Sequence, residues 1–510
     1  MGEQLIRSDA MLYSEQLYTG KPIIVPEALA QSLIDMLPIS ECTFNETLPK
    51  NKNYPYVQPL QQFLQHKRLP INLIPFEIQV IHDHYLNGFI RYQKGLIKNN
   101  NEFQCQRCGN HDQHLFARMP CVRCKKECMY CRKCLVMGRV NACTMLISWC
   151  GEETTHIQNN HHCDSLLTLS TGQQTASNKV VEAIQEKKQL LVWAVCGSGK
   201  TEVLFSGIEY ALNQGLTICI ATPRTDVVLE LAPRLKKAFP TVEVVSLYGN
   251  SKDKERNGQL MISTTHQLLR YYRTFEVMIL DEVDAFPYRV EPMLQYALNQ
   301  SRKIDSSLIY LTATPDKQLL QSEDLDIITI PARYHRHPLP VPNFKWCGNW
   351  QKALEKELLP YVFVSWLSER IDKNKQVLLF VPHIRTLEQV VILISELDRS
   401  VTGVHAEDRN RKEKVERFRN QEIMILVTTT ILERGITVPN IDVAVLGAED
   451  NIFTESALVQ IAGRVGRSPK FPTGVVTFFH YGITNEMVKA RRQIERMNRE
   501  ASEKGLIDLK

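Results

Sequence analysis

From Leu190 onward, short runs of apolar residues alternate with longer stretches of helical character. The runs at 190–193, 277–280 and 308–311 are apolar or aromatic at every position, which indicates strands buried on both faces. Buried strands that alternate with helices are typical of a parallel sheet covered by helices on both sides. This alternation limits the chain to an α/β fold more strongly than any other feature of it.

The alternation occurs in two series that are separated by a Pro-rich segment. Two successive α/β units of similar size predict two tandem RecA-like lobes, at residues 165–332 and 343–500. Ahead of them we expect a cysteine-rich module at residues 101–150 and an N-terminal region of unclear role at residues 1–100. Within that region, apolar residues at mixed helical spacing predict a packed helix over residues 76–97.

The bulk properties are those of an ordinary globular protein. The chain has 510 residues, 44% of them hydrophobic and 23% charged, so several folded units are expected. The net charge of +5 is too small to indicate nucleic-acid binding by itself. The sequence has no apolar run of about 18 residues and begins without the basic-then-apolar order of a secretory signal. We therefore expect a cytoplasmic location.

A loop that can bind phosphate follows the run at 190–193. Residues 194–201 read AVCGSGKT and lead into a helical stretch, the strand–loop–helix context of a P-loop. Lys200 would reach the β- and γ-phosphates of ATP, and the Thr201 hydroxyl would ligate Mg²⁺. Ala194 stands where the strict pattern has its first glycine, a departure that such loops tolerate. The predicted nucleotide-binding residues of this loop are Gly197, Ser198, Gly199, Lys200 and Thr201.

Two carboxylates come directly after the apolar run at 277–280. Catalytic groups of α/β proteins lie at the carboxyl ends of their strands. Asp281 is predicted to hold Mg²⁺ through its hydration shell, and Glu282 to orient and deprotonate the attacking water. An acidic pair at a strand end is often a simple helix cap, but the P-loop upstream favours the catalytic interpretation.

Two arginines in the second series complete a hydrolytic site. Arg464 and Arg467 are three residues apart, so they lie on one side of a helical turn. A permanently charged, planar guanidinium suits the charge on a transferring phosphoryl group. The competing interpretation is a pair of surface arginines in salt bridges. Gly463 and Gly466, which permit close backbone approach, weigh against it.

These pieces, in this order, resemble the motifs of superfamily 2 helicases. Gln173, in the string LSTGQ, matches the residue that reads adenine in that superfamily. Residues 312–314, which read TAT, resemble the motif that couples hydrolysis to movement, and residues 428–435 resemble a motif of the second lobe. The resemblance implies DNA-backbone contacts at Thr222, Arg224, Thr265, His266, Thr428 and Thr429.

More narrowly, the chain resembles the ComFA family of late competence proteins. The resemblance runs from about residue 100 to beyond 490 and rests on the strings at 264–270, 281–287, 404–419 and 460–468. It implies an ATPase stimulated by single-stranded DNA that imports transforming DNA. It also implies action at the cytoplasmic face of the membrane, with the DNA-uptake channel and a ComFC-like protein as partners.

Two other functions compete with this one. PriA, the replication-restart helicase, has similar motifs, but its cysteine cluster interrupts the second lobe, whereas the cysteines here precede the first. The third hypothesis is a scaffold that binds zinc and DNA and keeps a residual ATPase activity.

Seven of the 14 cysteines lie between residues 105 and 134, several of them at gaps of two residues. Each such pair can turn both sulfurs towards one metal, and two pairs complete a Cys₄ zinc site. The ComFA pattern places the ligands at Cys105, Cys108, Cys131 and Cys134. In the alternatives left open, Cys121 and Cys124 replace the second pair or join Cys128 in a partial second site. The basic residues of this segment either touch DNA or a partner, or form its solvated face.

Overall fold

A computed structural model of the chain describes residues 11–18, 21–30, 36–42, 48–154, 158–164, 168–285, 287–433 and 438–508. These residues group into two compact units that do not follow the chain in order. The first unit comprises Met1–Ser165 and Ile208–Leu308, and the second comprises Leu166–Gly207 and Ile309–Lys510. The helix Phe205–Asn213 and the strand Arg302–Thr312 therefore continue from one unit into the other.

The N-terminal part of the first unit is a small mixed fold of antiparallel sheets and short helices. One sheet places Met11–Tyr18 between Lys21–Pro26 and Met36–Pro38, and a second places Met145–Trp149 between Arg68–Pro70 and Ile90–Lys94. One apolar core joins these strands to two helices through residues such as Leu60, Ile81 and Ile147. The helical elements are Glu27–Leu29, Ile39–Glu41, Gln58–Leu64, Ile71–Leu73 and Ile78–Leu86.

The single helix predicted over residues 76–97 is wrong in its second half. The helix ends at Leu86, and Gly88 then takes a φ of +78° with the Pro49 carbonyl oxygen only 2.6 Å from where a Cβ would lie. The chain continues as the strand Ile90–Lys94, in which Ile90 and Tyr92 are buried on alternate positions. The apolar spacing there has a period of two rather than 3.6, and that period belongs to a strand.

The cysteine-rich segment forms two small antiparallel sheets. The strands Leu96–Asn99 and Glu102–Cys105 form a hairpin. The strand Glu127–Cys131 lies between Phe116–Pro120 and Val140–Asn141. Two 3₁₀ helices, Gln113–Leu115 and Lys133–Met137, complete the segment.

The rest of the first unit is parallel α/β. Four strands lie in the order Val244–Leu247, Leu260–Thr264, Ile218–Thr222 and Phe275–Asp281, all parallel. Ile220 pairs with both Ile262 and Ile279, so the carboxyl ends of the three strands meet at one edge. The helical elements are Thr225–Ala238, Thr265–Arg270 and Pro292–Ser301.

The second unit contains a six-stranded parallel sheet and a parallel pair, Gln189–Ala194 with Leu325–Ile330. The strand order of the sheet is Asn343–Trp346, Val476–His480, Ile441–Leu446, Gln376–Phe380, Ile425–Thr428 and Val401–Val404. The helices are Thr171–Gln185, Lys317–Leu320, Trp350–Glu355, Tyr361–Asp372, Ile384–Ser395, Arg411–Arg419, Glu455–Ala462 and Asn485–Glu503, and the 3₁₀ helices are Glu202–Leu204 and Thr430–Leu432.

The central strands of the six-stranded sheet are buried on both faces, whereas the edge strand Asn343–Trp346 is mostly exposed. Leu378 and Phe380 point into one apolar cluster, and Val377 and Leu379, which alternate with them, point into another. A strand covered on both sides needs no polar position, which explains the continuous apolar runs of the sequence. The predicted α/β fold with parallel sheets is confirmed. Among the described residues, no helix combines the length and apolar character needed to cross a bilayer.

Candidate functional site

The loop after the strand Gln189–Ala194 has the backbone of a phosphate-binding turn. Gly197 and Gly199 have φ values of +84° and +71°, a region that side chains rarely adopt. Lys200 and Thr201 follow, both half-buried, and a 3₁₀ turn then leads into the helix Phe205–Asn213. Ala194 is the last residue of the strand and pairs with Ile330. Its position is extended, so the methyl group in place of the usual glycine causes no strain.

Gln173 is tied directly to this loop. Its side-chain Nε2 donates to the Ser198 carbonyl oxygen at 2.7 Å, and its Oε1 accepts from the Ser170 backbone N–H at 2.8 Å. Ser170 caps the helix Thr171–Gln185, which fixes the glutamine at the start of that helix. A Cβ at Gly199 would lie 2.5 Å from Gln173 Nε2. The predicted adenine-reading residue and the predicted phosphate loop are therefore in contact.

The segment that carries the two predicted arginines packs against the same loop. The Cys196 thiol donates to the Gln460 side-chain oxygen at 3.0 Å, and a Cβ at Gly463 would lie 2.5 Å from the Cys196 Cβ. Only a glycine permits this approach of the two backbones. Arg464 Nε donates to the Glu433 carbonyl oxygen at 2.8 Å, and Arg467 Nε donates to the Gly463 carbonyl oxygen at 2.9 Å.

Arg333 is the residue of this site that the sequence reasoning missed. Its guanidinium, almost completely buried, donates to the carbonyl oxygens of Cys196 at 3.2 Å, Gly466 at 2.6 Å and Gly463 at 3.3 Å. Burial, together with the charge of Arg467, lowers the pKa of Arg333 to about 10, so it stays protonated at neutral pH. In the sequence Arg333 is an unremarkable residue of the Pro-rich segment, and no motif marks it.

The two predicted carboxylates lie in the first unit, at the end of the strand Phe275–Asp281. Asp281 is the last strand residue, and both carboxylates are half-buried. Glu282 has a φ of +58°, the left-handed region that costs a residue with a side chain about 1 kcal/mol. Strain of this kind is often retained at functional positions because it aims a side chain.

The lobe-one residues predicted to contact DNA lie at the same strand edge. Thr222 ends its strand opposite Thr264, and Thr265 begins the next 3₁₀ helix. The hydroxyls of Thr222 and Thr265 are buried and have no hydrogen-bond partner among the described residues. Arg224 forms a two-point ion pair with Asp226, at 3.0 and 2.5 Å.

Other residues predicted to contact DNA are placed as follows. Burial lowers the pKa of the half-buried His266. Thr428 donates to the Val404 carbonyl oxygen at 3.0 Å, and Thr429 follows it, half-buried. The last two residues of the predicted lobe-two motif, Arg434 and Gly435, lie outside the described residues.

The four predicted zinc ligands come together. The sulfurs of Cys105, Cys108, Cys131 and Cys134 all lie within 4.8 Å of one another, in buried positions. Two of the separations are 3.5 and 3.6 Å. Sulfurs bound tetrahedrally to one Zn²⁺ at about 2.3 Å lie about 3.8 Å apart, so the thiol set fits this metal.

A buried arginine supports this cluster. Arg107 Nε donates to the Cys134 sulfur at 3.4 Å, and its Nη atoms donate to the carbonyl oxygens of Cys134 and Met137 at 3.0 and 3.1 Å. Hydrogen bonds from the Cys105 and Cys108 thiols lower the pKa of Cys134, and the charge of Arg107 adds to that effect. The thiolate form, which binds metal, is therefore favoured at Cys134.

Comparison with known proteins gives three matching family models. They are Competence protein ComFA N-terminal domain at residues 51–148, Type III restriction enzyme, res subunit, at residues 166–317, and Helicase conserved C-terminal domain at residues 356–469.

Three curated proteins illustrate these matches. Competence protein ComFA of Bacillus subtilis (strain 168) is 48% identical over 457 residues, which cover 88% of this chain and 97% of that protein. Competence protein ComFA of Streptococcus pneumoniae (strain ATCC BAA-255 / R6) is 37% identical over 377 residues, 73% of this chain and 86% of that protein. Transcription-repair-coupling factor of Staphylococcus haemolyticus (strain JCSC1435) is 27% identical over 333 residues, 61% of this chain but 27% of that protein.

Proposed function

The chain belongs to the competence protein ComFA family and is a superfamily 2, ATP-hydrolysing helicase associated with competence; from this premise we propose that it translocates single-stranded DNA and so imports transforming DNA. The predicted resemblance to ComFA, rather than to PriA, is confirmed. The match to the N-terminal family model begins at residue 51. It therefore starts earlier in the chain than the predicted resemblance, which begins at about residue 100.

In the proposed mechanism, ATP binds on the loop that contains Gly197, Ser198 and Gly199. Their backbone N–H groups surround the phosphates, and Lys200 neutralises the β- and γ-phosphate charge. Gln173 recognises the adenine. The observation that best supports this arrangement is the direct packing of Gly463 on Cys196, because it brings the arginine-bearing segment to the phosphate loop.

Hydrolysis needs a metal, a base and compensation of charge. Thr201 and Asp281 hold the Mg²⁺ that accompanies ATP, and Glu282 deprotonates the attacking water. Arg464 and Arg467 stabilise the charge that develops on the transferring phosphoryl group. Because the arginines and the phosphate loop come from distant parts of the sequence, hydrolysis would depend on how closely the two segments pack.

DNA is proposed to bind at the strand edge that carries Thr222 and Thr265, with Arg224 and His266 beside them. Buried hydroxyls without partners are costly, and a sugar–phosphate backbone would satisfy them. Thr428 and Thr429 make the corresponding contacts in the second lobe. Contacts of this kind do not read bases, so binding is tolerant of sequence and weakens as salt rises.

The cysteine module is proposed to bind Zn²⁺ through Cys105, Cys108, Cys131 and Cys134. When bound, the metal supplies the stability that a small fold without a large core lacks. Lys133 forms an ion pair with Glu291 at 2.7 Å, and the Tyr296 ring packs where a Cβ of Gly109 would lie. These contacts hold the module against the helix Pro292–Ser301. We place the protein in the cytoplasm, at the membrane, with the uptake channel and a ComFC-like protein as partners.

The decisive experiment measures ATP hydrolysis with and without single-stranded DNA. The wild type is expected to be stimulated by DNA, and Lys200→Ala to lose at least about 100-fold in rate, because the phosphate charge is no longer neutralised. The matched control is Lys188→Ala, which removes an exposed lysine paired with Glu186 at 2.6 Å and leaves the rate unchanged. A wild-type rate that DNA does not stimulate would contradict the translocase.

A second variant separates the motor from a DNA-binding scaffold. Glu282→Gln removes the proposed base but keeps the size of the side chain. We expect this protein to bind ATP and DNA, to hydrolyse ATP very slowly and to fail in DNA uptake by competent cells. Full uptake with Glu282→Gln would show that hydrolysis is dispensable and would favour the scaffold.

A further inference from the structure

Four more buried cysteines form a second cluster in the same module. The sulfurs of Cys121, Cys124, Cys128 and Cys143 all lie within 4.8 Å of one another. The Cys128 and Cys143 sulfurs are 3.9 Å apart, close to the separation of about 3.8 Å expected for two ligands of one tetrahedral Zn²⁺. Cys143 lies outside the dense run of cysteines in the sequence, and only the fold brings it to the other three.

The first pair of this cluster has the same backbone turn as the first pair of the other cluster. In the first cluster, the Cys105 N–H donates to the Asn110 carbonyl oxygen, and the Gly109 N–H donates to the Cys105 carbonyl oxygen, each at 2.9 Å. In the second cluster, the Cys121 N–H donates to the Lys126 carbonyl oxygen at 3.0 Å, and the Lys125 N–H donates to the Cys121 carbonyl oxygen at 2.9 Å. Both turns point two sulfurs to one side, as a metal-binding turn requires.

The second turn keeps this geometry at an energetic cost. Gly109 has a φ of +71°, which a glycine adopts freely. Lys125 occupies the equivalent position with a φ of +56°, although its side chain disfavours that region by about 1 kcal/mol. A strained turn persists when its surroundings require it. A metal bound to Cys121 and Cys124 would provide such a requirement.

The two clusters share one strand. Cys128 and Cys131 both lie on Glu127–Cys131, and because they are three residues apart their side chains point to opposite faces. Cys131 therefore reaches the first cluster and Cys128 the second. Cys143 follows the neighbouring strand Val140–Asn141, and its N–H donates to the Asn141 side-chain oxygen at 3.1 Å. The ligand pairs of the two clusters interleave along the chain.

An apolar core does not account for the second cluster. Its buried members are the four cysteines, and the partly buried residue packed against them is Ala142. A packed interior normally contains larger aliphatic side chains, and sulfurs alone contribute little buried apolar area. Four thiols that have no such neighbours within the described ranges, in a module this small, are typical of a structural metal site.

We propose that Cys121, Cys124, Cys128 and Cys143 bind a second structural Zn²⁺, interleaved with the first site. Each thiol releases its proton on binding, so the metal holds four thiolates. Cys143 is two residues before the strand Met145–Trp149, which pairs with Arg68–Pro70 and Ile90–Lys94. The second metal therefore fastens the cysteine module to the N-terminal sheet, and the first fastens the turn that packs on Tyr296.

The test is the zinc content of the full-length protein, purified under reducing conditions and measured by elemental mass spectrometry. We expect two zinc ions per chain in the wild type, and one in Cys143→Ser and in Cys108→Ser. Cys163→Ser, which changes a cysteine outside both clusters, should retain two. One zinc per wild-type chain, unchanged by Cys143→Ser, would overturn the proposal.

A measurement on the wild type alone keeps the test valid if Cys143→Ser does not fold. Alkylation of each cysteine is followed by mass spectrometry, with and without a zinc chelator. The second-cluster cysteines should become reactive only after chelation, whereas Cys219, buried in a strand of the first unit, should not respond. Second-cluster thiols that react equally in both conditions, or a disulfide between Cys128 and Cys143, would contradict a metal site.

Discussion

Two buried arginines, Arg333 at the phosphate loop and Arg107 at the first cysteine cluster, perform the same structural task in different electrical surroundings. Each donates to three backbone carbonyl oxygens, which for Arg107 belong to the single turn at residues 134–138 and for Arg333 to two separate loops. Arg107 also donates to the Cys134 sulfur at 3.4 Å. The charge that most affects the pKa of Arg333, in contrast, is the positive charge of Arg467. Arg107 therefore has a sulfur ligand of the cysteine cluster beside it, whereas among the described residues Arg333 forms its hydrogen bonds with carbonyl oxygens.

This difference in the groups around the two arginines indicates which ligand each site favours. The Cys134 sulfur, whose pKa is lowered, balances the charge of Arg107 within the protein itself. Around Arg333, within the described part of the chain, carbonyl oxygens are the hydrogen-bond acceptors and a second guanidinium is close. Two guanidinium groups beside a phosphate loop favour the binding of a polyanion such as the triphosphate of ATP. The three predictions below test this contrast.

The largest effect is expected from Arg333→Ala. The substitution removes three hydrogen bonds to backbone carbonyl oxygens, of which that of Cys196 is buried and loses its donor, and this should lower the free energy of unfolding by about 3 kcal/mol. The phosphate loop and the segment at Gly463 lose their common anchor, so the ATPase rate should fall at least about tenfold. Urea unfolding and steady-state ATPase assays measure the two effects.

The matched control for this prediction is Arg336→Ala. Arg336 is an exposed arginine of the same segment, paired with Asp508 at 2.9 Å, and its loss should change stability by no more than about 0.5 kcal/mol. Arg333→Lys keeps the charge but replaces the planar guanidinium by a single ammonium group. Its stability and ATPase rate should therefore lie between those of the wild type and Arg333→Ala. Equal ATPase rates for Arg333→Ala and wild type would mean that Arg333 does not position the loop.

A smaller effect, limited to the affinity for zinc, is expected from Arg107→Ala. Groups that support metal ligands from the next shell typically change metal affinity by about 10–100-fold. We therefore expect faster transfer of one zinc to a competing chelator, measured with a coloured zinc indicator. Arg118→Ala, at an exposed arginine of the same module, is the control. Unchanged zinc retention in Arg107→Ala would remove the proposed link between Arg107 and the metal.

The smallest effect concerns Lys67, another buried cation, which donates to the Glu255 carbonyl oxygen at 3.2 Å. Burial, with the charge of Arg270, lowers the pKa of Lys67 to about 7. The unfolded chain therefore binds the extra proton between about pH 7 and pH 10, and stability should rise with pH in this window, by at most about 1.4 kcal/mol per pH unit.

Lys67→Met tests that linkage. The substitution removes the titrating group, so it should flatten the pH dependence and leave the protein at least as stable as the wild type at pH 7. Urea unfolding at pH 7, 8 and 9 measures it, with the exposed Lys188→Ala as control. A slope that remains in Lys67→Met would assign the pH dependence to other groups.

Several features of the molecule could be predicted from local sequence. The strand Gln189–Ala194 and central strands of the six-stranded sheet such as Gln376–Phe380 were recognisable because burial on both faces leaves a continuous apolar run. The exposed edge strand Asn343–Trp346 has no such run and was not predicted. Gly197 and Gly199 were recognisable because their positive φ values favour glycine. The helix predicted over residues 76–97 failed at Gly88, because apolar spacing over a short stretch fits both a helix and a strand.

By itself the sequence determined the α/β fold, the order of the motifs and the chemistry that they suggest, because these depend on residue type and spacing along the chain. Only the tertiary structure decided which distant groups meet. It brought Arg333 to the carbonyl oxygens of two loops and Cys143 to three earlier cysteines. Neither residue differs in its local sequence from an ordinary arginine or cysteine. Both residues reach their positions through long-range packing, which the spacing of residues along the sequence does not encode.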